Sequence, residues 1–237
     1  MSYTYLKKPV SAKTKRIRLD QKKRKLLSGL FLAFGITMFL SVLIPILKFQ
    51  LEYSRKFGQI VNPLATAFYN SSATTDYTQL SNWFVSSADS QKINSLINKS
   101  KSSTYKLSIP ILKIQDAIVD TNSMDLKKTL IQYPGTALPG TMGNPVIFGH
   151  SVLPQFFNPK SYLTIFSNLF KLKNGDEIFV EYDRIKYKYI VEEIFEVKPT
   201  DFSVLDQRFD AKYMTLITCS PPGTYLRRLV VKTKIAE

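Results

Sequence analysis

Apolar positions form one long unbroken run near the start of the chain and many short alternating runs in its second half. The long run, from Leu26 to Leu47, carries no charged residue. A helix of this length spans the roughly 30 Å hydrocarbon core of a bilayer. A buried helix would normally show a polar side. A signal peptide would have a shorter run and a small-residue cleavage site, which "KFQLEYSRKFGQ" does not offer. The pattern predicts an uncleaved transmembrane anchor over residues 26–47.

The charges that flank this run predict its orientation. Ten Lys and Arg residues and one acid, Asp20, lie between Lys7 and Lys25, whereas only three basic residues follow the run closely. Cytoplasmic flanks of membrane helices carry the excess of positive charge. We therefore expect a single-pass protein of the cell membrane with its N-terminus in the cytoplasm. Residues 1–25 would be a basic cytoplasmic arm, and everything after residue 48 would lie outside.

The formal net charge of +15 raises the question of a nucleic-acid partner. Most of the excess belongs to the N-terminal arm. The rest of the chain has no basic stripe interleaved with aromatic residues, as a nucleic-acid groove would need. We therefore expect membrane lipid, and no nucleic acid, among the partners.

Cysteine and histidine are each used once, and this limits the chemistry. A single cysteine excludes an intramolecular disulfide, and a single histidine without a C-x-x-C motif leaves a zinc site without ligands. We expect neither a metal nor a cofactor. Five acids that could attract a regulatory cation are more simply read as solvated surface groups. These acids are Glu192, Glu193, Glu196, Asp201 and Asp206.

Composition divides the rest of the chain at about residue 104. Residues 48–104 are rich in Ser, Thr and Asn, which predicts an extracytoplasmic stalk with helical segments. Within it, Ile93, Leu96 and Ile97 would share one helical face. From residue 105 to 237, short β-branched runs alternate with turn signals. This pattern predicts a mainly β domain, either a closed barrel or a sandwich.

Local patterns in this domain predict particular elements. The segments "YMTLITC" and "RRLVVKTKI" are typical of strands, joined by a Pro-Pro-Gly turn. Leu126 and Leu130, four residues apart, predict a short helix over residues 122–133. The segment "SYLTIFSNLF" predicts another short helix. The dipeptide Asn174-Gly175 predicts the turn of a β-hairpin within "FKLKNGDEIFVEY".

Cys219 and His150 each follow an apolar run, where a rigid strand would present them beside a loop. A thiolate is a nucleophile, and a nearby imidazole can accept or supply its proton. A cationic side chain can stabilise the oxyanion that forms on attack. Arg227 and Arg228 follow after one turn, and strand alternation sends them to opposite faces. Periodicity leaves the choice between them open, and a lone cysteine of this kind is more often a core residue.

Several motifs sharpen this picture. "TLITC" ends at Cys219, Pro221 and Gly223 follow, and an Arg nine residues after the cysteine precedes "LVV". Upstream, "GTALPGTMGNPVIFGHS" leads through small residues into a strand that ends in Gly-His. "LKNGDEIFVEY" and "VKPTDFSVLD" follow in order. Over about residues 105–236 these motifs resemble those of the sortases, the membrane-anchored cysteine transpeptidases of bacterial surfaces.

The resemblance implies a closed sortase-type β-barrel of about eight strands with short helices, forming a catalytic domain over residues 105–237 after one N-terminal transmembrane helix. It implies Cys219 as nucleophile, His150 as general acid and base, and Arg228, the Arg followed by "LVV", as stabiliser of the oxyanion. The implied partners are surface proteins with a C-terminal sorting signal of the Leu-Pro-x-Thr-Gly type. The implied acceptor is an amine, such as a peptidoglycan precursor peptide or a pilin lysine.

Two other functions remain open at this point. A membrane-anchored cysteine protease or amidase would hydrolyse rather than transfer, and it would usually orient its histidine with an Asn or Asp. A non-catalytic surface domain would keep Cys219 as a core residue. The subclass is also open, because "IPILKIQDAIV" is a less typical version of the family's first strands. Residues 48–104 hold no Asp-Pro-aromatic lid motif, which argues against a pilin polymerase.

Overall fold

The structure, a computed structural model, describes residues 21–58, 76–83 and 104–236. The chain divides into two compact units, Met1–Leu47 and Lys48–Glu237. The helical face expected at Ile93, Leu96 and Ile97 lies outside the described residues.

One long helix, α1 (Gln21–Phe57), contains the apolar run. Between Lys23 and Phe57 it is long and apolar enough to cross a membrane, by length and composition. The helix ends at Phe57 because Gly58 adopts a left-handed φ of 66°. The Gly58 N–H also donates to the Ser54 carbonyl at 2.8 Å, closing the last turn.

Eight strands form the closed barrel, so the predicted fold class is confirmed. Around the barrel the order is β1-β2-β3-β4-β7-β8-β6-β5. The strands are β1 (Thr104–Ile109), β2 (Ile114–Asp120), β3 (Leu130–Gln132), β4 (Val146–Phe148), β5 (Glu177–Tyr182), β6 (Ile185–Val197), β7 (Tyr213–Ser220) and β8 (Arg227–Ile235). Neighbours pair antiparallel, except that β2 with β3 and β4 with β7 are parallel.

Strand alternation gives the barrel two buried surfaces. Every strand contributes to the interior, with Leu107, Val119, Leu130, Ile147, Ile178, Tyr189, Leu216 and Leu229. A second cluster covers the outer face of four strands, with Ile131, Phe148, Ile217, Cys219 and Val230. On β7, Leu216 therefore faces inward, whereas Ile217 and Cys219 face outward.

The helix expected over residues 122–133 is absent, because turns lead there into β3. Its two spaced leucines serve different cores: Leu126 joins the outer cluster and Leu130 the interior. The segment 161–170, also expected to be a helix, forms turns up to residue 168 and then enters a short 3-10 helix, Leu169–Lys171. The four-residue spacing of Leu126 and Leu130 therefore reflects burial on two sides of a sheet and not one face of a helix.

The predicted hairpin turn was also wrong. Asn174-Gly175 forms a turn, but this turn leads from the 3-10 helix into β5. The hairpin joins β5 to β6 through Asp183 and Arg184, whose φ angles are 51° and 63°. Positive φ at both central residues is the requirement of a type I′ turn, which two non-glycine residues meet here.

Candidate active site

Two neighbouring parallel strands bring His150 and Cys219 to one edge of the barrel. In the pairing of β4 with β7, Phe148 is the partner of Ile217, and the Gly149 N–H donates to the Ile217 carbonyl at 3.1 Å. His150 and Cys219 each lie two residues further along. Since parallel strands run the same way, both residues lie at the same end of the barrel.

Side-chain hydrogen bonds fix these two strand ends to each other. The Thr218 hydroxyl donates to the Gly149 carbonyl at 2.8 Å. The Ser151 hydroxyl donates to the Cys219 carbonyl, also at 2.8 Å. At Gly149 a Cβ atom would lie 2.4 Å from the Phe166 ring, so only glycine fits before the histidine.

The register of β7 with β8 separates the two candidate arginines. Arg228 is the partner of Cys219, and Arg227 is the partner of Ser220. Directly opposed residues share a face of the sheet. The structure therefore places Arg228, only 3% exposed, on the face of Cys219, and Arg227 on the other face.

Arg228 is held by backbone carbonyls and by an aromatic ring. Its Nη2 donates to the Trp83 carbonyl at 3.0 Å, and its Nη1 to the Tyr225 carbonyl at 3.2 Å. The guanidinium carbon lies 5.0 Å from the centre of the Trp83 ring, a cation–π arrangement. Its Nε is buried without a hydrogen-bond partner among the described residues.

The segment Asp76–Trp83, here called the cover, lies over these three residues. Trp83 is fully buried. Its ring centre is 6.5 Å from that of His150 and 5.4 Å from that of Phe148. At the other end of the cover, the ring of Tyr77 stacks on Tyr225 at 4.0 Å. Cys219 is 0% exposed, so a peptide could not reach the thiol in this arrangement.

The cover is attached through its backbone as well as through the buried side chains of Leu80 and Trp83. The Leu80 N–H donates to the Met124 carbonyl at 3.0 Å, and the Leu126 N–H donates to the Thr78 carbonyl at 2.9 Å. An exposed ion pair joins Asp76 to Lys127 at 3.7 Å. Composition suggested only a polar stalk here, so the sequence interpretation missed the cover. The one usable signal was Trp83, the only tryptophan of the chain.

Burial sets the charge state of the site. It raises the pKa of the Cys219 thiol to about 11, although the nearby Arg228 charge acts to lower it. Burial also lowers the pKa of His150; Asp76 opposes this shift and Lys127 adds to it. The Nδ1 atom of His150 has no hydrogen-bond partner among the described residues. With the cover in place, the site holds a neutral thiol and a neutral imidazole at pH 7.

Three of the five acids, Glu192, Glu193 and Asp206, line one cavity, which they share with Arg208 and Lys232. Within the described parts of the chain, no group of three or more His, Cys, Asp or Glu residues could hold a metal ion. Glu196 is not simply a solvated surface acid, because its carboxylate accepts a hydrogen bond from the Ser220 hydroxyl at 2.6 Å.

Comparison with known sequences gives one family. The model of the sortase domain matches residues 105–236, more than half of the chain. The chain is 32% identical over 133 residues to sortase A of Staphylococcus aureus, covering 52% of this chain and 64% of that protein. It is 36% identical over 88 residues to sortase A of Listeria monocytogenes, covering 37% of this chain and 36% of that protein. Each match spans less than two thirds of the relative's length.

Solved structures of similar fold agree with the sequence matches. Sortase A from Corynebacterium diphtheriae aligns with a TM-score of 0.51 at 28% identity, covering 73% of this chain and 82% of that one. Sortase C-1 from Actinomyces oris aligns with a TM-score of 0.51 at 26% identity, covering 73% and 95%. The closed barrel is therefore shared with solved members of that family.

Proposed function

Because the chain belongs to the sortase family, we propose that it is a membrane-anchored cysteine transpeptidase that uses His150, Cys219 and Arg228. Its substrates would be surface proteins with a C-terminal sorting signal of the Leu-Pro-x-Thr-Gly type. The observation that carries the proposal is the meeting of these three residues on one face of the barrel, at the ends of adjacent strands.

The proposed reaction has two acyl transfers. The Cys219 sulfur attacks the Thr carbonyl of the signal while His150 takes the thiol proton, and a tetrahedral oxyanion forms. The intermediate collapses to a thioester as His150 gives this proton to the leaving amine. An acceptor amine then attacks the thioester and passes a proton to His150. That proton returns to the Cys219 sulfur as the new amide is released.

Arg228 is suited to stabilise the oxyanion. Its side chain is a fixed charge beside Cys219, and its Nη atoms are already occupied by carbonyls. Its Nε donor is buried and unpartnered among the described residues. Buried donors are normally paired, so this N–H is available to an oxyanion. Electrostatic stabilisation of this kind is often the largest contribution to acyl transfer.

The cover has to move before a peptide can react. Trp83 occupies the space beside His150 and Arg228, and the buried thiol is un-ionised at pH 7. Displacement of the cover would admit the substrate and would also ease ionisation of the thiol, because burial is the main cause of its raised pKa.

Transfer to an amine is favoured over simple hydrolysis by the surroundings of the histidine. A cysteine protease usually orients its imidazole with an Asn or Asp, whereas Nδ1 of His150 has no such partner among the described residues. We propose a cell-wall precursor peptide or a pilin lysine as the acceptor. With the N-terminus of α1 in the cytoplasm, enzyme and substrates would share the outer membrane surface, which raises their effective concentration.

The test uses the full chain in detergent micelles, with Leu-Pro-x-Thr-Gly peptides and an excess of triglycine. We expect mass spectra to show a thioester on Cys219 and a triglycine-ligated product, and Cys219→Ala to abolish both. Hydrolysed peptide alone, despite saturating amine, would reject transfer in favour of a protease. Ligation that persists in Cys219→Ala would reject the assigned nucleophile.

A further inference from the structure

The last turns of α1, Lys48–Phe57, pack on the barrel within the second compact unit. Phe49, Tyr53 and Phe57 follow one another every four residues and therefore share one face of the helix. The ring centres of Phe49 and Tyr53 lie 5.6 Å and 6.0 Å from that of Phe170. Tyr53 is 0% exposed and joins the interior cluster of the barrel.

A lysine fixes the same turns at a second point. The Lys56 amine donates hydrogen bonds to the carbonyls of Phe170 and Leu172. Phe170 belongs to the 3-10 helix Leu169–Lys171, and Leu172 follows it, so the ammonium group satisfies carbonyls that a short helix leaves free. The helix end is therefore bound by both aromatic packing and hydrogen bonds.

The Tyr53 hydroxyl reaches the strand that carries the reactive cysteine. It lies 2.7 Å from the Ser220 Oγ atom and is hydrogen-bonded to the Glu196 carboxylate. The Ser220 hydroxyl donates to the same carboxylate at 2.6 Å. Three oxygens from α1, β6 and β7 thus contact one another, and Ser220 is 0% exposed.

Ser220 is the residue after Cys219, on the opposite face of β7. Cys219 faces outward under Trp83, and Ser220 faces inward to Tyr53. A displacement of Ser220 would carry the Cys219 backbone with it, because the two residues share a peptide bond. The hydrogen bond from Ser220 to Glu196 and the close contact with Tyr53 therefore restrain the placement of the sulfur from the inner face of the strand.

We infer that Tyr53 is a positioning residue for Cys219, acting through the side chains of Ser220 and Glu196. Its effect on turnover rests on the proposed function. Its effect on the order of the Cys219 strand end does not. By this inference the last turns of the helix continue the membrane anchor and also help to position the catalytic cysteine.

The test removes single hydroxyl groups from the full chain in detergent. Tyr53→Phe keeps the ring packing, and Ser220→Ala removes the hydroxyl at the other end of the Tyr53–Ser220 contact. Tyr105→Phe is the matched control, because its buried hydroxyl donates to Gln132 of β3 at 2.8 Å, and neither β1 nor β3 pairs with β7. The first measurement is the rate of alkylation of Cys219, the only thiol of the chain.

We expect alkylation about fivefold faster in Tyr53→Phe and in Ser220→Ala, the equivalent of one lost hydrogen bond. The double variant should be no faster than either single variant, because both break one network. Tyr105→Phe should match the unmodified chain. Additive effects, or equal acceleration in Tyr105→Phe, would overturn the inference.

Turnover gives the second measurement. Tyr53→Phe should lower kcat by about tenfold with KM unchanged, because a slightly misplaced nucleophile slows the chemical step and leaves peptide binding intact. An unchanged kcat, or a change confined to KM, would refute the positioning role. If the unmodified chain shows no ligation at all, the proposed function fails, whereas the alkylation rates still decide the role of Tyr53.

Discussion

Two N-terminal segments dock on opposite faces of β7, and they are attached in different ways. The cover places Trp83 on the outer face, against His150 and Arg228. The helix end Lys48–Phe57 places Tyr53 on the inner face, against Ser220. The dipeptide Cys219–Ser220 therefore lies between a tryptophan on one side and a tyrosine on the other.

The difference in attachment matches a difference in what each segment has to do. The cover is held by backbone hydrogen bonds, an exposed ion pair and the apolar packing of Leu80 and Trp83, and such packing is not directional. The helix end adds to its aromatic packing a set of half-buried side-chain hydrogen bonds around a carboxylate, which are directional and stronger than neutral ones. In the proposed mechanism the cover leaves before a peptide binds, whereas the helix end stays in place and holds the strand.

The largest expected effect on activity comes from replacing the two arginines on opposite faces of β8. We expect Arg228→Lys to lower kcat/KM for peptide ligation by about 10² to 10³, because lysine cannot reproduce the planar donor set beside Cys219. Arg227→Lys, one residue earlier on the other face, keeps the positive charge opposite Ser220 and should change kcat/KM by less than about threefold. Initial rates by liquid chromatography measure both. A larger loss in the Arg227 variant would mean that Arg227, and not Arg228, stabilises the oxyanion.

The next effect concerns removal of the cover. Trp83→Ala should raise kcat/KM on the order of tenfold, because the open form would no longer be a minor fraction of the population. The same variant should unfold at lower temperature, since it removes a large buried ring. Loss of an ordinary core residue would lower both Tm and turnover. A fall in Tm together with a rise in turnover would therefore show that Trp83 blocks the active site. A loss of turnover would show that Trp83 is needed to hold Arg228.

Much of this architecture could be predicted from the sequence. The segment "RRLVVKTKI" is β8, and "YMTLITC" is β7 without its final residue. Both are apolar β-branched runs whose ends are marked by a turn, so local pattern and final structure agree. The meeting of His150 with Cys219 followed only from the resemblance, because the parallel pairing of β4 with β7 joins segments far apart in the chain.

The elements that pattern could not predict depend on long-range packing. Leu126 and Leu130 have helical spacing, yet they fill two different cores. Periodicity left the choice between Arg227 and Arg228 open, whereas the resemblance favoured Arg228, which the register places opposite Cys219. Tyr53 adjoins the anchor in sequence and carries no local sign of its contact with Ser220, 167 residues away. Such contacts arise only when the barrel has closed.

The smallest expected effect is a shift in the pKa of the Cys219 thiol. Burial and the Arg228 charge contribute to this pKa with opposite signs. Burial raises the pKa of the thiol to about 11, and the Arg228 charge lowers it. Trp83→Ala should therefore move the midpoint of the alkylation pH profile downward, toward the ordinary value of 9.0, because water then solvates the thiolate. Adding Arg228→Gln to that variant should move the midpoint back upward, because a neutral side chain no longer favours the anion.

A midpoint that stays near 11 without Trp83 would mean that the barrel itself, and not the cover, desolvates the thiol. In that case, displacement of the cover would admit the peptide without activating the nucleophile.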